Sequence, residues 1–166
     1  MSIEFLKRFG LFVLLVLFQG LVLNHVHLMG VALPLPYLYF PLTIRRNTPK
    51  WAVLLWSFFL GLGIDMFSNT PGLAAGVTTL IGLMQPYLLE LFVPRDSVGD
   101  LEPSASTLGF SKYATFAGIL VVVYCLLFFA LDAFSFFNWL FWIECVVGSA
   151  VLTVLMILAI ESVRSK

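Results

Sequence analysis

Long apolar runs separated by short polar segments constrain this chain more than any other feature of its sequence. A membrane-spanning helix needs about 20 mostly apolar residues, and shorter runs suffice where polar ends reach the interface. Such runs occur at residues 9–23 (span 1), 51–64 (span 3), 71–93 (span 4), 113–131 (span 5) and 139–160 (span 6). Charged residues make up only 11% of the chain, against about 25% in soluble domains. We therefore expect residues 1–166 to form one all-α, polytopic integral membrane domain.

The charge balance excludes another class of protein. Nine Lys and Arg residues balance nine Asp and Glu residues, so the chain lacks the basic surface that nucleic-acid phosphates require. We expect membrane lipid as a partner and no nucleic acid. Cys125 and Cys145 lie inside apolar runs, and we interpret them as packing residues rather than a disulfide or a redox site.

One further apolar run, residues 31–44 (span 2), contains three prolines: Pro34, Pro36 and Pro41. Proline lacks a backbone N–H and clashes with the preceding helical turn, so three of them argue against one regular helix. Irregular backbone at membrane depth persists where neighbouring helices or water satisfy its polar groups. The sequence predicts a short, broken helix here, either crossing the membrane or re-entrant.

Two polar segments separate the later spans. Residues 68–72 form a predicted turn after Asp65, in which Thr70 caps the next helix and Pro71 takes its first position. Residues 94–112 are the only long polar segment of the chain, and we interpret them as a loop.

The distribution of Lys and Arg predicts the orientation, because short loops rich in these residues stay in the cytoplasm. With six crossings, all the cations fall on one side: Lys7, Arg8, Arg45, Arg46, Lys50, Arg95, Lys112, Arg164 and Lys166. A five-span arrangement would place some of them outside. We therefore predict six spans, both termini in the cytoplasm, and residues 94–112 as a cytoplasmic loop.

Small residues at four-residue spacing predict where the helices pack, because close approach of backbones drives association in lipid. Span 3 carries Ser57, Gly61 and Asp65 on one face. The predicted partner stripe on span 4 contains Gly72, Ala75, Gly76, Thr79 and Gly82. The same spacing recurs at Ala114 and Gly118 in span 5, and at Cys145, Ser149 and Thr153 in span 6.

Few polar residues suggest chemistry. Asp65 has two open interpretations: a helix-end residue bonded to donors of Ser68, Asn69 and Thr70, or an acid that faces a partner or ligand. Glu144 is expected to reach the outer interface. His25 and His27 lack a third ligand, and no nucleophile, phosphate-binding or zinc motif occurs. We therefore expect a protein that is not an enzyme and has no cofactor or metal.

The segment from Gly61 to Leu73, GLGIDMFSNTPGL, resembles the signature of the MreD family of bacterial rod-shape-determining membrane proteins. Weaker matches follow the same order along the chain: residues 19–28 (QGLVLNHVHL), 37–40 (YLYF), 93–96 (VPRD), 102–104 (EPS) and 160–164 (IESVR). Gln85 departs from the family pattern, which has a basic residue at this position.

The resemblance implies a non-enzymatic component of the machinery that inserts peptidoglycan along the lateral cell wall. It also implies that the protein lies in the bacterial cytoplasmic membrane. It implies an MreC-like membrane protein as partner and, indirectly, an MreB-like filament, a RodA-like glycosyltransferase and a transpeptidase. It also implies a fold similar to the six-helix substrate-binding components of energy-coupling-factor transporters. The matched segments give these candidates for motif or partner contact: Asp65, Asn69, Pro71, Gly72, Gln19, Asn24, His25, Arg95 and Asp96.

A second hypothesis is a small-molecule-binding subunit of an energy-coupling-factor-type transporter, for which six compact spans would also be suitable. Such subunits usually carry an Ala-xxx-Ala pattern on the first helix for docking. Span 1 contains no alanine, which favours the cell-wall role.

Overall fold

The computed structural model describes residues 2–21, 35–69, 71–96, 99, 103–133 and 139–164, and every regular element within them is helical. The first helix, α1, is Ser2–Leu21, and a 3-10 turn at Pro36–Leu38 leads directly into α2, Tyr39–Leu42. The others are α3 (Lys50–Ser68), α4 (Leu73–Phe92), α5 (Ala105–Leu108), α6 (Phe110–Ala133) and α7 (Trp139–Arg164). The all-α prediction is confirmed.

Among the described residues, four helices are long and apolar enough to cross a membrane: Lys50–Ser68, Leu73–Phe92, Phe110–Asp132 and Trp139–Arg164. They correspond to spans 3, 4, 5 and 6, with ends that differ from the predicted ones by a few residues. The helix α1 is not among them, because Glu4, Lys7 and Arg8 place three charges in its first two turns.

The helix α1 nevertheless runs beside α3 over its whole length and in the same direction. Near its start, the rings of Phe5 and Trp56 lie 5.7 Å apart between centroids. Near its end, Gly20 lies so close to the Phe67 ring that a Cβ at this position would clash with it. A larger residue at position 20 would therefore require the Phe67 ring to move.

The proline-rich segment is enclosed by other helices. All of residues 35–44 are buried, and their helical part is only seven residues long, which confirms the prediction of a short, broken helix. Leu35 N donates to Thr153 Oγ1 at 3.1 Å and Tyr39 Oη donates to Glu161 Oε2 at 2.9 Å. Eight residues of α7 correspond to about 12 Å, so this segment lies along the C-terminal part of α7. Residues 31–34 lie outside the described part of span 2.

Ion pairs and hydrogen bonds bring one end of several helices together. Arg45 Nη2 lies 3.1 Å from Glu4 Oε1, and Arg46 Nε lies 2.8 Å from Glu90 Oε1. Lys50 Nζ donates to Tyr87 Oη at 3.0 Å. The N-termini of α1 and α3 therefore lie with the C-terminus of α4 at what we call the cationic end.

Two local predictions differ from the structure. The helix α4 begins at Leu73 with Gly72 as its N-cap, so Pro71 is not its first residue, and Thr70 lies outside the described residues. The predicted loop at 94–112 contains the short helix α5, and α6 already begins at Phe110. Ser104 caps the start of α5. Its hydroxyl accepts a hydrogen bond from Thr107 N, and Thr107 Oγ1 accepts one from Ser104 N, which together form a capping box.

Candidate functional sites at the two ends of the bundle

Asp65 anchors the start of α4 from within α3. Its side chain is buried, and its two carboxylate oxygens accept hydrogen bonds from Ala74 N at 2.8 Å and Ala75 N at 3.0 Å. The first N–H groups of a helix have no partner within the helix and carry its positive dipole end, so a carboxylate stabilises them. The helix-end interpretation holds for these two bonds, although the donors are backbone groups of α4 rather than Ser68, Asn69 and Thr70.

The turn between α3 and α4 depends on two left-handed backbone conformations. Asn69 ends α3 with φ of 58°, and its N–H donates to the carbonyl of Asp65, while Gly72 has φ of 82°. Asparagine and glycine are the residues that adopt this conformation most readily. Asn69, Pro71 and Gly72 are all exposed. The motif therefore divides into one buried anchor and an exposed turn.

The interface between α3 and α4 is formed by small residues, as predicted, but only some of the residues predicted on α4 take part in it. Thr78 Oγ1 donates to the carbonyl of Ser57, 2.9 Å away, and a Cβ at Gly61 would clash with Ala74, Ala75 and Thr78. Gly82 approaches Ser57 in the same way. The contact stripe of α4 is therefore formed by Ala74, Ala75, Thr78 and Gly82. The predicted members Ala75 and Gly82 are confirmed, whereas Gly72 and Gly76 are exposed and Thr79 is half-buried.

The small residues predicted to pack are buried in span 6 but only partly buried in span 5. Cys145, Ser149 and Thr153 are buried on α7, as expected. Ala114 and Gly118 are only half-buried on α6, and a Cβ at Gly118 would meet open space. The buried face of α6 is formed instead by large residues: Tyr113, Phe116, Leu120, Val121 and Tyr124.

Gln19 lies on α1 next to Gly20, at the same end of the bundle as the α3–α4 turn. Its side chain is fully buried, and neither amide atom has a hydrogen-bond partner among the described residues. A buried amide without partners is unfavourable, so this position stands out among the sequence candidates. Asn24, His25 and His27 lie outside the described residues.

A second buried carboxylate, Glu161, lies at the cationic end and was not a sequence candidate. It accepts hydrogen bonds from Tyr39 Oη at 2.9 Å and from Ala105 N at 3.0 Å, and Arg164 Nη1 donates to Tyr39 Oη at 3.1 Å. Its exposed fraction is only 2%. The available signal was an acidic residue in the last turns of an apolar helix, within the matched segment 160–164. Glu161 joins α2, α5 and α7.

Gln85 occupies the position where the resembled family has a basic residue. Its side chain is buried in α4, and Nε2 donates to the carbonyl of Ile44 at 3.2 Å. An amide supplies the donor that this carbonyl needs without placing a charge in the interior. Gln85 therefore connects α4 to the end of the proline-rich segment.

The remaining charged candidates are on the surface. Arg95 and Asp96 follow α4 and are exposed. Arg46 forms two hydrogen bonds with Glu90, at 2.8 and 3.0 Å, and this contact raises the pKa of the Arg46 guanidinium. Exposed ion pairs of this kind contribute little to stability. They do show which helix ends are neighbours.

Within the described residues, no three His, Cys, Asp or Glu side chains come together in a way that could hold a metal ion. Cys125 and Cys145 are free thiols in the interior, consistent with their prediction as packing residues. Both described buried carboxylates, Asp65 and Glu161, hold backbone N–H groups. Comparison with protein-family models, with curated proteins and with solved structures finds no match for this chain.

Proposed function

We propose that this chain is a non-enzymatic membrane component of the bacterial cell-wall elongation complex, and that it maintains rod shape by organising lateral peptidoglycan synthesis. The observation that carries this proposal is the resemblance of GLGIDMFSNTPGL, residues 61–73, to the MreD signature. The weaker matched segments in the same order along the chain add support.

The geometry of the motif is compatible with a contact surface. The carboxylate of Asp65 is occupied by hydrogen bonds from Ala74 and Ala75, whereas Asn69, Pro71 and Gly72 are exposed, and the first and last of these have left-handed backbone conformations. This turn is our candidate contact for an MreC-like membrane protein, and through it for RodA-like and transpeptidase subunits.

We further propose six crossings of the bacterial cytoplasmic membrane, with both termini and residues 94–112 in the cytoplasm. The parallel course of α1 beside α3 supports counting α1 as a span, since both extend from the cationic end to Phe67. Span 2 is the sixth crossing in this arrangement. The cationic end then faces the cytoplasm and an MreB-like filament, as the positive-inside rule requires.

Depletion of the protein in its rod-shaped host tests the proposed function. We expect the cells to become round and lateral wall synthesis to fall, and the purified chain to capture an MreC-like protein. Substitution of the exposed turn residue Pro71 by Arg should weaken this capture, while Asp96→Arg on the opposite end should not. Unchanged cell shape together with tight vitamin binding in detergent would contradict the proposal and support the transporter hypothesis.

A further inference from the structure

A cavity of about 460 Å³ opens at the cationic end, between α1, α7 and the segment that follows α2. Four cations line it, Lys7, Arg8, Arg45 and Arg164, against one acidic residue, Glu4. The site thus has an excess of positive charge. Two of these cations are held in place, because Arg45 bonds to Glu4 and Arg164 bonds to Tyr39.

A second, larger cavity of about 1060 Å³ forms a groove between α1 and α3. Its walls are mainly aromatic and aliphatic, as in Phe9, Leu55 and Phe59, and it extends along α3 from Trp51 to Met66. This length corresponds to roughly 22 Å of helix, which exceeds the roughly 15 Å depth of one leaflet of the bilayer.

The basic cavity and the apolar groove are adjacent, since Glu4, Arg8 and Arg45 line both. A ligand that fits them together has an anionic head and a long apolar chain. Guanidinium and ammonium groups bind phosphate through charge-assisted hydrogen bonds, and basic pockets between membrane helices bind anionic lipid headgroups. A partner helix would fill the groove but would not by itself supply the negative charge.

We propose that this chain binds an anionic phospholipid, with the headgroup phosphate in the basic cavity and one acyl chain in the groove between α1 and α3. The lipid belongs to the leaflet that meets the cationic end. This inference is independent of the cell-wall role, because any membrane function of the chain would accommodate it.

Binding to the full-length chain in neutral detergent tests the headgroup part, with phosphatidylglycerol and phosphatidylcholine of identical acyl chains as probes. We expect phosphatidylglycerol to bind at least tenfold more tightly. The double variant K7Q/R8Q should weaken its binding by about 30-fold, since each cation near an anionic lipid surface contributes a factor of about five. K7R/R8K should retain binding, as should the matched control R95Q/K112Q, which removes two exposed cations near the same end.

The acyl chain is tested separately. Ala52 lines the groove, so Ala52→Trp should reduce phosphatidylglycerol binding at least fivefold, whereas Val151→Trp on the exposed face of α7 should not. Soluble glycerol phosphate and inorganic phosphate should compete only weakly. If the double variant does not stay monodisperse, Lys7→Gln alone serves, because Lys7 is exposed.

Three results would overturn the proposal. Equal affinity for the two lipids would show that charge does not select the ligand. Equal effects of Ala52→Trp and Val151→Trp would show that the groove holds no chain. Free phosphate binding as tightly as phosphatidylglycerol would identify a soluble anion as the ligand.

Discussion

Asp65 and Glu161 illustrate what buried charge does in this protein at the scale of single residues. Each lies almost entirely out of solvent, and each accepts hydrogen bonds from a segment that follows or faces its helix. A buried carboxylate is tolerated when such bonds compensate for its lost hydration. Asp65 therefore holds the start of α4 at one end of the bundle, and Glu161 holds the start of α5 at the other end.

Asp65→Ala should destabilise the protein by about 1–3 kcal/mol, because it leaves the buried N–H groups of Ala74 and Ala75 without their acceptor. The midpoint of unfolding by a denaturing detergent measures this loss. The exposed acid Asp96 provides the control, since Asp96→Ala should leave the midpoint unchanged. A stable Asp65→Ala variant that only loses partner capture would show that the role of Asp65 is recognition.

Glu161→Ala should free the segment around α5, since Ala105 N and Tyr39 both lose their acceptor. The loss of such bonds changes local opening by roughly 10-fold or more. Trypsin cleavage after Arg95 or Lys112 reports this opening, and we expect it to accelerate accordingly. Glu144→Ala on the exposed face of the same helix is the matched control, and equal cleavage rates for the two variants would refute this role of Glu161.

At the scale of helices, the closest packing in the bundle is between α3 and α4. Gly61 and Gly82 leave no room for a Cβ, and Thr78 bonds across the interface to the carbonyl of Ser57. Lipid supplies no hydrophobic force between helices, so dispersion contacts and such bonds hold this pair together. The proline-rich segment is held differently, through Thr153, Glu161 and Gln85 on two other helices.

Gly82→Val should destabilise the α3–α4 pair by about 1–3 kcal/mol through overpacking against Ser57. Gly76→Val on the same helix should have little effect, because Gly76 is exposed and a Cβ at this position would meet open space. Both variants replace a helical glycine with the same residue, so helix propensity cancels between them. Equal shifts in unfolding midpoint would contradict the observed register.

At the scale of the whole molecule, the zero net charge conceals a polar arrangement. Ion pairs and a hydrogen bond show that the N-termini of α1 and α3 lie beside the C-terminus of α4. The hydrogen bond from Ala105 to Glu161 places α5 and the C-terminus of α7 together at the same end. The α3–α4 turn, with its buried Asp65, lies at the other end. This asymmetry is what the positive-inside rule needs to orient a bundle.

Single cysteines at the two ends should report opposite accessibility in intact cells. Pro71→Cys should react with a membrane-impermeant maleimide, and Asp96→Cys should react only after the membrane is permeabilised. Both positions are exposed, and the native Cys125 and Cys145 are buried, so the unmodified chain gives the background. The reverse pattern would exclude the proposed orientation.

The helical character and the four helices long enough to cross a membrane follow from the apolar runs, because bilayer thickness fixes the length that a spanning helix needs. The break in span 2 follows from its prolines. Gly61 and Ser57 could be placed at a contact from spacing alone. On α4, Ala75 and Gly82 were also placed correctly, but Ala74 and Thr78 were not, because adjacent positions on a helix differ by about 100° in direction and several small residues offered alternatives.

The sequence by itself determined the long apolar segments and their helical character, which depend on local composition, and it favours a membrane protein. Only the tertiary structure decided that Asp65 bonds to Ala74 and Ala75, that Glu161 joins α2, α5 and α7, and that Lys7, Arg8, Arg45 and Arg164 share one cavity. These residues are far apart along the chain, so their meeting depends on how the helices pack, which no local pattern records.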